Sequence, residues 1–325
     1  MTKLQESDVS PGLGGDLPGG GVTLSIAAVE RDTGISKDTL RVWERRYGFP
    51  TPTRDAGGER AYPPDQVGRL RLIKRLLDGG HRPGRVVGRP PLELELLGET
   101  LGVAPQRSRA TAPGAGAVHA LVDLLHANDV PTLRRQLQGQ LSRLGVAPFV
   151  TQVVAPLNVA VGDAWLRGQL EVHQEHVYTE VLQGVLRQAL AGLPEAAAPA
   201  RPRVLLGTVP GEPHGLGLLM AELLLALDGC ACVSLGVQTP LADLLRAAQA
   251  HHSDIVALGY TGCTNPNSIV EGLTELRAGL PAAVELWAGG SAPVLQRRPV
   301  DGVRPLATLD RLAVETERWR RAGRP

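Results

Sequence analysis

The sequence predicts a multidomain chain: a winged helix-turn-helix at the N-terminal end, a four-helix bundle in the middle, and an α/β doubly wound, Rossmann-like and flavodoxin-like domain at the C-terminal end. Three observations predict it. At 325 residues the chain is longer than a typical single domain. Its apolar rhythm changes twice, from short helices around a Gly-Gly tip, to four long helical stretches, to apolar runs of strand length alternating with amphipathic helices. Its charge is also uneven. The formal net charge is +1, yet residues 23–85 hold 13 Lys and Arg against 8 Asp and Glu, and that local excess marks this end for a polyanion.

Residues 1–21, MTKLQESDVSPGLGGDLPGGG, are too rich in Gly, Pro and polar residues to bury a surface and read as a mobile arm. Residues 22–87 form the next unit. LSIAAVERDTG is predicted as a helix ended by Gly34, and SKDTLRVWERRYG as a second helix with Ser36 as its N-cap. Two short helices joined by a tight Gly-containing turn make a helix-turn-helix. Gly57-Gly58 then supports a hairpin tip between short extended arms, and PPDQVGRLRLIKRLLDGG resumes a helix with apolar Val67, Leu70, Ile73, Leu76 and Leu77.

Residues 88–115, with their prolines and the run SRATAPGAGA around one short helical stretch, LELELLGETL, read as a linker. Residues 116–198 offer AVHALVDLLHAND, VPTLRRQLQGQLSRLG, APFVTQVVAPLNVAVGDAWLRGQ and EVHQEHVYTEVLQGVLRQALAGL, whose apolar spacing of three and four predicts the bundle. Residues 199–325 begin the strand and helix alternation at RVLLGTV and carry it through ACVSLGV, DIVALGYT and AVELWAGG, which predicts a parallel sheet covered on both faces.

Cys230, Cys232 and Cys263 are too few for a disulfide framework and read as core thiols. The chain start lacks a charged-then-apolar signal pattern, and no uninterrupted apolar run reaches about 18 residues, so a cytoplasmic protein without a membrane span is expected.

The segment GTVPGEPHGLG, residues 207–217, falls where the first predicted strand hands over to a helix, which in a doubly wound sheet is the ligand edge. Gly215 and Gly217 allow close approach to the backbone. Glu212 is near enough to fix the His214 imidazole in one tautomer, as carboxylates do for metal-binding histidines. A loop histidine alone is usually an ordinary solvated side chain; the longer spacing changes its meaning. Glu212-Pro-His214-Gly-Leu-Gly217 is followed after 41 residues by Gly259-Tyr-Thr261 and after 27 more by Gly289-Gly290. This pattern resembles the cobalamin-binding domain family. The resemblance implies that His214 is the lower axial ligand to cobalt and that the dimethylbenzimidazole tail lies near Thr261, Gly289 and Gly290. Gly259 stands where the family usually has serine.

A helical bundle ahead of such a domain resembles the cap over the cofactor's upper face. Within it, Trp165, nine residues and then Glu175-His176 resemble a motif of the CarH/LitR-type light-responsive repressors. The resemblance implies adenosylcobalamin, with these three side chains around the adenosyl group. Trp165 offers a flat apolar surface to a nucleoside, and Glu175 and His176 offer hydrogen bonds. Leu166 departs from that motif, in which a histidine follows the tryptophan; His173 and His176 are the candidates to replace it.

The N-terminal end resembles the MerR family in DTLRVWERRYG and in the wing TPTRDAGGERAY. That resemblance implies double-stranded operator DNA as partner, with Lys37, Asp38, Thr39 and Arg41 reading bases, Trp43 and Arg45 on or near the recognition helix, and Arg60 and Tyr62 in the wing. The predicted whole is a cobalamin-dependent repressor, not an enzyme, whose ligand state alters self-association as dimer or tetramer; the resemblance implies a green-light photoreceptor, and Leu166 leaves a thermally reversible, dark ligand-sensing or oxygen-quenched response as the alternative. A corrinoid-carrier enzyme component and a regulator with a ligand-free sensor domain are the alternatives. The basic winged end counts against the first, and His214, Glu212 and Gly289-Gly290 count against the second.

Overall fold

A computed structural model describes residues 23–55, 57–78, 81–91, 93–94, 97, 115–166, 169–194, 201–262 and 264–322. The expected arm, Cys263 and much of the expected linker, including most of LELELLGETL, lie outside these residues. The chain divides into two compact units, Met1–Lys74 and Arg75–Pro325.

In the first unit the helix expected from Leu24 starts later. The Ser25 hydroxyl accepts the Ala28 amide at 3.3 Å and caps α1 (Ile26–Thr33), which leaves Leu24–Ser25 extended as β1. A capping serine keeps its own backbone out of the helix, so the residues behind it are available to a sheet. Gly34, at φ 69°, ends α1, and Ser36 accepts the Thr39 amide at 3.2 Å to start α2 (Lys37–Tyr47). β2 (Thr53–Arg54) and β3 (Arg60–Tyr62) form the wing. The Asp55 carboxylate closes its tip by accepting the Gly57 and Glu59 amides, each at 2.9 Å. The sheet order is β1-β3-β2, antiparallel throughout. α3 (Pro64–Asp78) follows, and Val29, Leu40, Trp43, Tyr62, Leu70 and Ile73 are buried.

The second unit begins within the last turn of α3 and continues with α4 (Pro83–Val86). Four helical runs then make the bundle: α5 (Ala115–His126), α6 (Val130–Leu144), a composite third run and α9 (Val172–Ala191). The third run joins α7 (Val146–Pro148), a π-helical segment (Phe149–Val154) and α8 (Ala155–Leu166). Apolar periodicity reveals the run but not its π turns, because the extra residue shifts the buried face by one position. By length and composition Val146–Trp165 could cross a membrane; instead its Phe149, Val150, Leu157 and Val161 belong to the bundle core.

The sheet comprises β4 (Arg203–Gly207), β5 (Ala231–Ser234), β6 (Ile255–Tyr260), β7 (Glu285–Gly290) and β8 (Val303–Leu306), all parallel in the order β5-β4-β6-β7-β8. Its helices are α10 (Leu216–Leu227), α11 (Leu241–Ala250), α12 (Pro266–Gly279), the short α13 (Val294–Arg297) and α14 (Arg311–Arg321). Alternate residues serve opposite faces: Val204, Leu206 and Ile255 pack in one core, and Leu205, Val256 and Leu258 in the other. This is the flavodoxin-like order, and the strand sequence reverses between β4 and β6. The last strand was not legible because VRPL carries a proline; its place at the sheet edge is where a proline is tolerated.

The bundle core continues into the α/β domain. Met220 and Leu223 of α10 are buried within it, and Asn158 of α8 accepts from the Tyr178 hydroxyl and donates to the Met220 sulfur at 3.2 Å. Cys230 is buried, and burial pushes its thiol up to about 11; the Cys232 thiol is also raised, chiefly by burial.

Candidate functional site

The loop after β4 and the loop after β6 meet at the switch point around one carboxylate. Glu212 is fully buried. Its Oε1 lies 2.7 Å from His214 Nδ1 and accepts the His214 amide at 3.2 Å. Its Oε2 accepts the Thr261 amide at 2.6 Å and the Thr264 hydroxyl at 3.1 Å, while the Thr261 hydroxyl lies within 3.0 Å of both oxygens. Burial pushes the Glu212 carboxyl up, but the donors from His214 and Thr261 outweigh it and hold the group down at about 2. An ionised carboxylate at Nδ1 fixes that nitrogen as the N–H donor, so Nε2 carries the lone pair. The imidazole itself is about half exposed, at 53%.

Thr208, at the end of β4, braces this loop from beneath: its hydroxyl donates to the Glu212 carbonyl at 2.6 Å and accepts the Gln238 amide at 2.8 Å. Sequence reasoning missed Thr208 and Thr264. Thr208 directly follows β4 and meets Glu212 within its own loop, whereas Thr264 lies in the loop after β6 and reaches Glu212 only because β4 and β6 are neighbours.

The glycines fall into three kinds. Gly215 and Gly217 flank the first residue of α10; a Cβ on Gly215 would press on Val237 at 3.1 Å, whereas one on Gly217 would meet nothing within 4 Å. Gly259 and Gly289 are paired in register across β6 and β7, leaving a strip without side chains at the strand ends. Gly290, at φ 113°, is compulsory, because a Cβ there would sit 2.0 Å from the Tyr260 carbonyl oxygen.

These features fit a corrin-held cobalt. Among the described residues no group of three or more His, Cys, Asp or Glu stands ready to hold a bare metal ion, and a single oriented imidazole is the donor that a metal already held by a macrocycle requires. The bare strip at Gly259 and Gly289 is a cradle that side chains would fill.

On the bundle side, Trp165 is partly buried at the end of α8 and packs against the bundle core. Glu175 and His176 lie in the first turns of α9, with Glu175 34% and His176 71% exposed and 3.8 Å between them. Glu175 also accepts the Thr179 hydroxyl at 2.8 Å. His173 Nε2 lies 3.3 Å from Asn128 Oδ1, so of the two candidate replacement histidines it is the one engaged with the α5–α6 turn.

On α2, Lys37 pairs with Glu30 at 3.4 Å, Asp38 with Arg41 at 3.2 Å, and the Thr39 hydroxyl with that of Ser36 at 2.8 Å. Arg41 and Arg45 are exposed. Arg60 of the wing pairs with Glu44 at 3.0 Å. Trp43 and Tyr62 require a correction. They are 5% and 0% exposed, so both are core side chains that fix α2 and the wing and do not face a nucleic acid. The i, i+3 spacing from Leu40 places Trp43 on the inner face of α2, and Tyr62 pairs with Leu24 in the sheet.

Residues 24–87 match the family described as MerR HTH family regulatory protein, and residues 117–189 match that described as B12 binding domain. The chain is 32% identical over 260 residues to the HTH-type transcriptional repressor CarH of Myxococcus xanthus, covering 80% of this chain and 86% of that protein. It is 31% identical over 277 residues to the repressor CarA of the same organism, covering 83% and 88%. A methionine synthase of Mycobacterium leprae matches at 26% over 148 residues, 45% of this chain but 10% of the enzyme.

Proposed function

The chain belongs to the family of MerR-type, cobalamin-binding transcriptional repressors that includes CarH and CarA, and on that premise we propose that it represses transcription by binding operator DNA under the control of adenosylcobalamin. It is a regulator and not an enzyme: the relatives that span most of the chain are repressors, and the synthase match is partial. In this reading residues 22–87 bind DNA, residues 88–115 link, residues 116–198 cap the cofactor and residues 199–325 hold it.

The observation that carries the proposal is the Glu212 hub, which binds His214 and Thr261 across two strand ends at the switch point of a flavodoxin-like sheet. When bound, adenosylcobalamin supplies a cobalt–carbon bond that green light can break. His214 would hold the cobalt through Nε2, and Glu212 keeps the imidazole in the tautomer that this needs. Gly259 and Gly289 leave room for the tail. Trp165 would exclude water from the nucleoside, and Glu175 and His176 would offer it hydrogen bonds. Because α10 shares the bundle core and starts two residues after His214, the cap and the cofactor loop are joined through one helix. Ligand state shifts the assembly, dimer or tetramer, through its different affinity for the two forms.

The test is the visible spectrum of the purified protein with adenosylcobalamin in the dark, beside His214→Ala. A retained corrin whose histidine-ligated bands vanish in the variant supports the reading, and a protein that retains none defeats it. Size-exclusion chromatography and DNA binding before and after green light test the signal: unchanged behaviour of the loaded protein would rule out light.

A further inference from the structure

The charged face of α2 carries one residue that its electrostatics do not explain. Val42 is 42% exposed in a helix whose other apolar members, Leu40 and Trp43, are buried. Single exposed valines are common on protein surfaces, so exposure alone decides nothing. The position does. With 3.6 residues per turn, Asp38, Arg41, Val42 and Arg45 share one side of the helix, which places the two valine methyls between exposed guanidinium groups one turn in from the N-terminus. The polar residues ahead of it are already engaged with one another, Lys37 with Glu30, Asp38 with Arg41 and Thr39 with Ser36. An apolar group flanked by exposed arginines matches the one apolar feature of the major groove, the C5-methyl of thymine.

We infer that Val42 is a base-reading residue that packs its methyl groups against a thymine C5-methyl, beside the base-reading Arg41, while Arg45 fixes the helix on the flanking backbone. The inference rests on the operator-binding reading and adds to it a sequence preference. Arginine contacts to phosphate carry no base information, so loss of the valine should relax specificity at one position while leaving the salt dependence of binding intact.

The experiment uses the full chain. Its binding site is first selected from a random-sequence duplex library, and each thymine of the recovered site is then replaced singly by deoxyuridine, which removes only the methyl group. Affinities of the wild type and Val42→Ala are measured on every duplex, with circular dichroism to check folding. The expected result is one thymine per half-site whose replacement weakens the wild type about fourfold, the effect of losing one buried methyl contact. Val42→Ala should bind the thymine duplex as weakly as the wild type binds its uracil counterpart, and should not distinguish the two. If no thymine is sensitive, or if the sensitive one is equally so in Val42→Ala, the inference fails while DNA binding stands. If the selection recovers no sequence at all, the operator-binding reading fails and the inference with it.

Discussion

The two sides of the proposed cofactor site are built differently. At the strand edge, Glu212 is fully buried and gathers donors from its own loop and from the loop after β6, so His214 is oriented by a network that spans the sheet. On the bundle side, Glu175 and His176 are a third and nearly three quarters exposed, and the hydroxyl that Glu175 accepts comes from its own helix. A buried, fully paired carboxylate cannot move without leaving several groups unsatisfied, whereas exposed side chains on one helix change rotamer at little cost. On the proposed reading, the strand edge would set whether a corrin is kept, and the bundle side would set which upper group is preferred.

The sharpest way to break that contrast is to disrupt the rigid side. In Gly290→Ala the new Cβ would stand 2.0 Å from the Tyr260 carbonyl, at a φ of 113° that an L-residue rarely adopts. A loss of about 4 kcal/mol or more is expected, read as loss of the cooperative unfolding transition in thermal denaturation. His214→Ala leaves the fold intact, since the side chain is half exposed, but should weaken corrin retention by at least about 100-fold in spectroscopic titration. Glu212→Gln falls between structure and ligand. An amide offers one acceptor oxygen and turns an NH2 group toward the donors of His214, Thr261 and Thr264. It should cost about 1–3 kcal/mol of stability and about 10-fold to 100-fold in corrin affinity. Equal stability of Glu212→Gln and wild type in urea would show that the strand edge is no more rigid than the bundle side.

Much of this contrast was written in the sequence, and the omissions have physical causes. Glu212, His214 and the glycines were legible because the loop lies between an apolar run and an amphipathic helix, and chain order alone places such a loop at the ligand edge. Thr264 was not, because its approach to the Glu212 carboxylate depends on which strands are neighbours, and β4 lies beside β6 only through a crossover; Thr208 was not, because its bond to the Glu212 backbone carbonyl depends on how the loop turns. Trp43 and Tyr62 were misjudged for the opposite reason: a motif made of surface and core residues has no periodicity of its own, and helix phase relative to Leu40 was the usable signal. The π-helical segment and the proline-bearing edge strand obey tertiary packing more than local propensity.

The bundle side calls for a smaller effect of a different kind. His176→Ala, at a side chain 71% exposed, should leave the melting temperature and total corrin retention nearly unchanged. Its consequence should be selective: a loss of about threefold to tenfold in affinity for adenosylcobalamin relative to a cobalamin with a small upper ligand, the worth of about one hydrogen bond. Competition between the two cobalamins, followed by their absorption spectra, measures that ratio. If both affinities fall together, His176 acts on the whole corrin and the division of labour between the two sides is wrong.

The smallest expected change tests whether the rigid side is also a filled one. A Cβ added at Gly259 would meet Thr208 Cγ2 at 3.7 Å and Leu218 Cδ1 at 4.0 Å, ordinary contact distances, and the residue lies in a strand, where glycine is a poor choice. Gly259→Ser should therefore fold with a stability within about 0.5 kcal/mol of the wild type. The added hydroxyl would stand on the bare strip beside Gly289, where the tail is proposed to lie, so a modest tightening of corrin binding is expected from the gain of one polar contact. A serine that destabilises the protein strongly would mean that the strip is closed by packing, and a serine that weakens the corrin while leaving the fold untouched would mean that the glycine is there to admit the tail more closely than a hydroxyl allows. The stability and the affinity of this one variant thus separate a vacancy in the protein from a fit to the ligand.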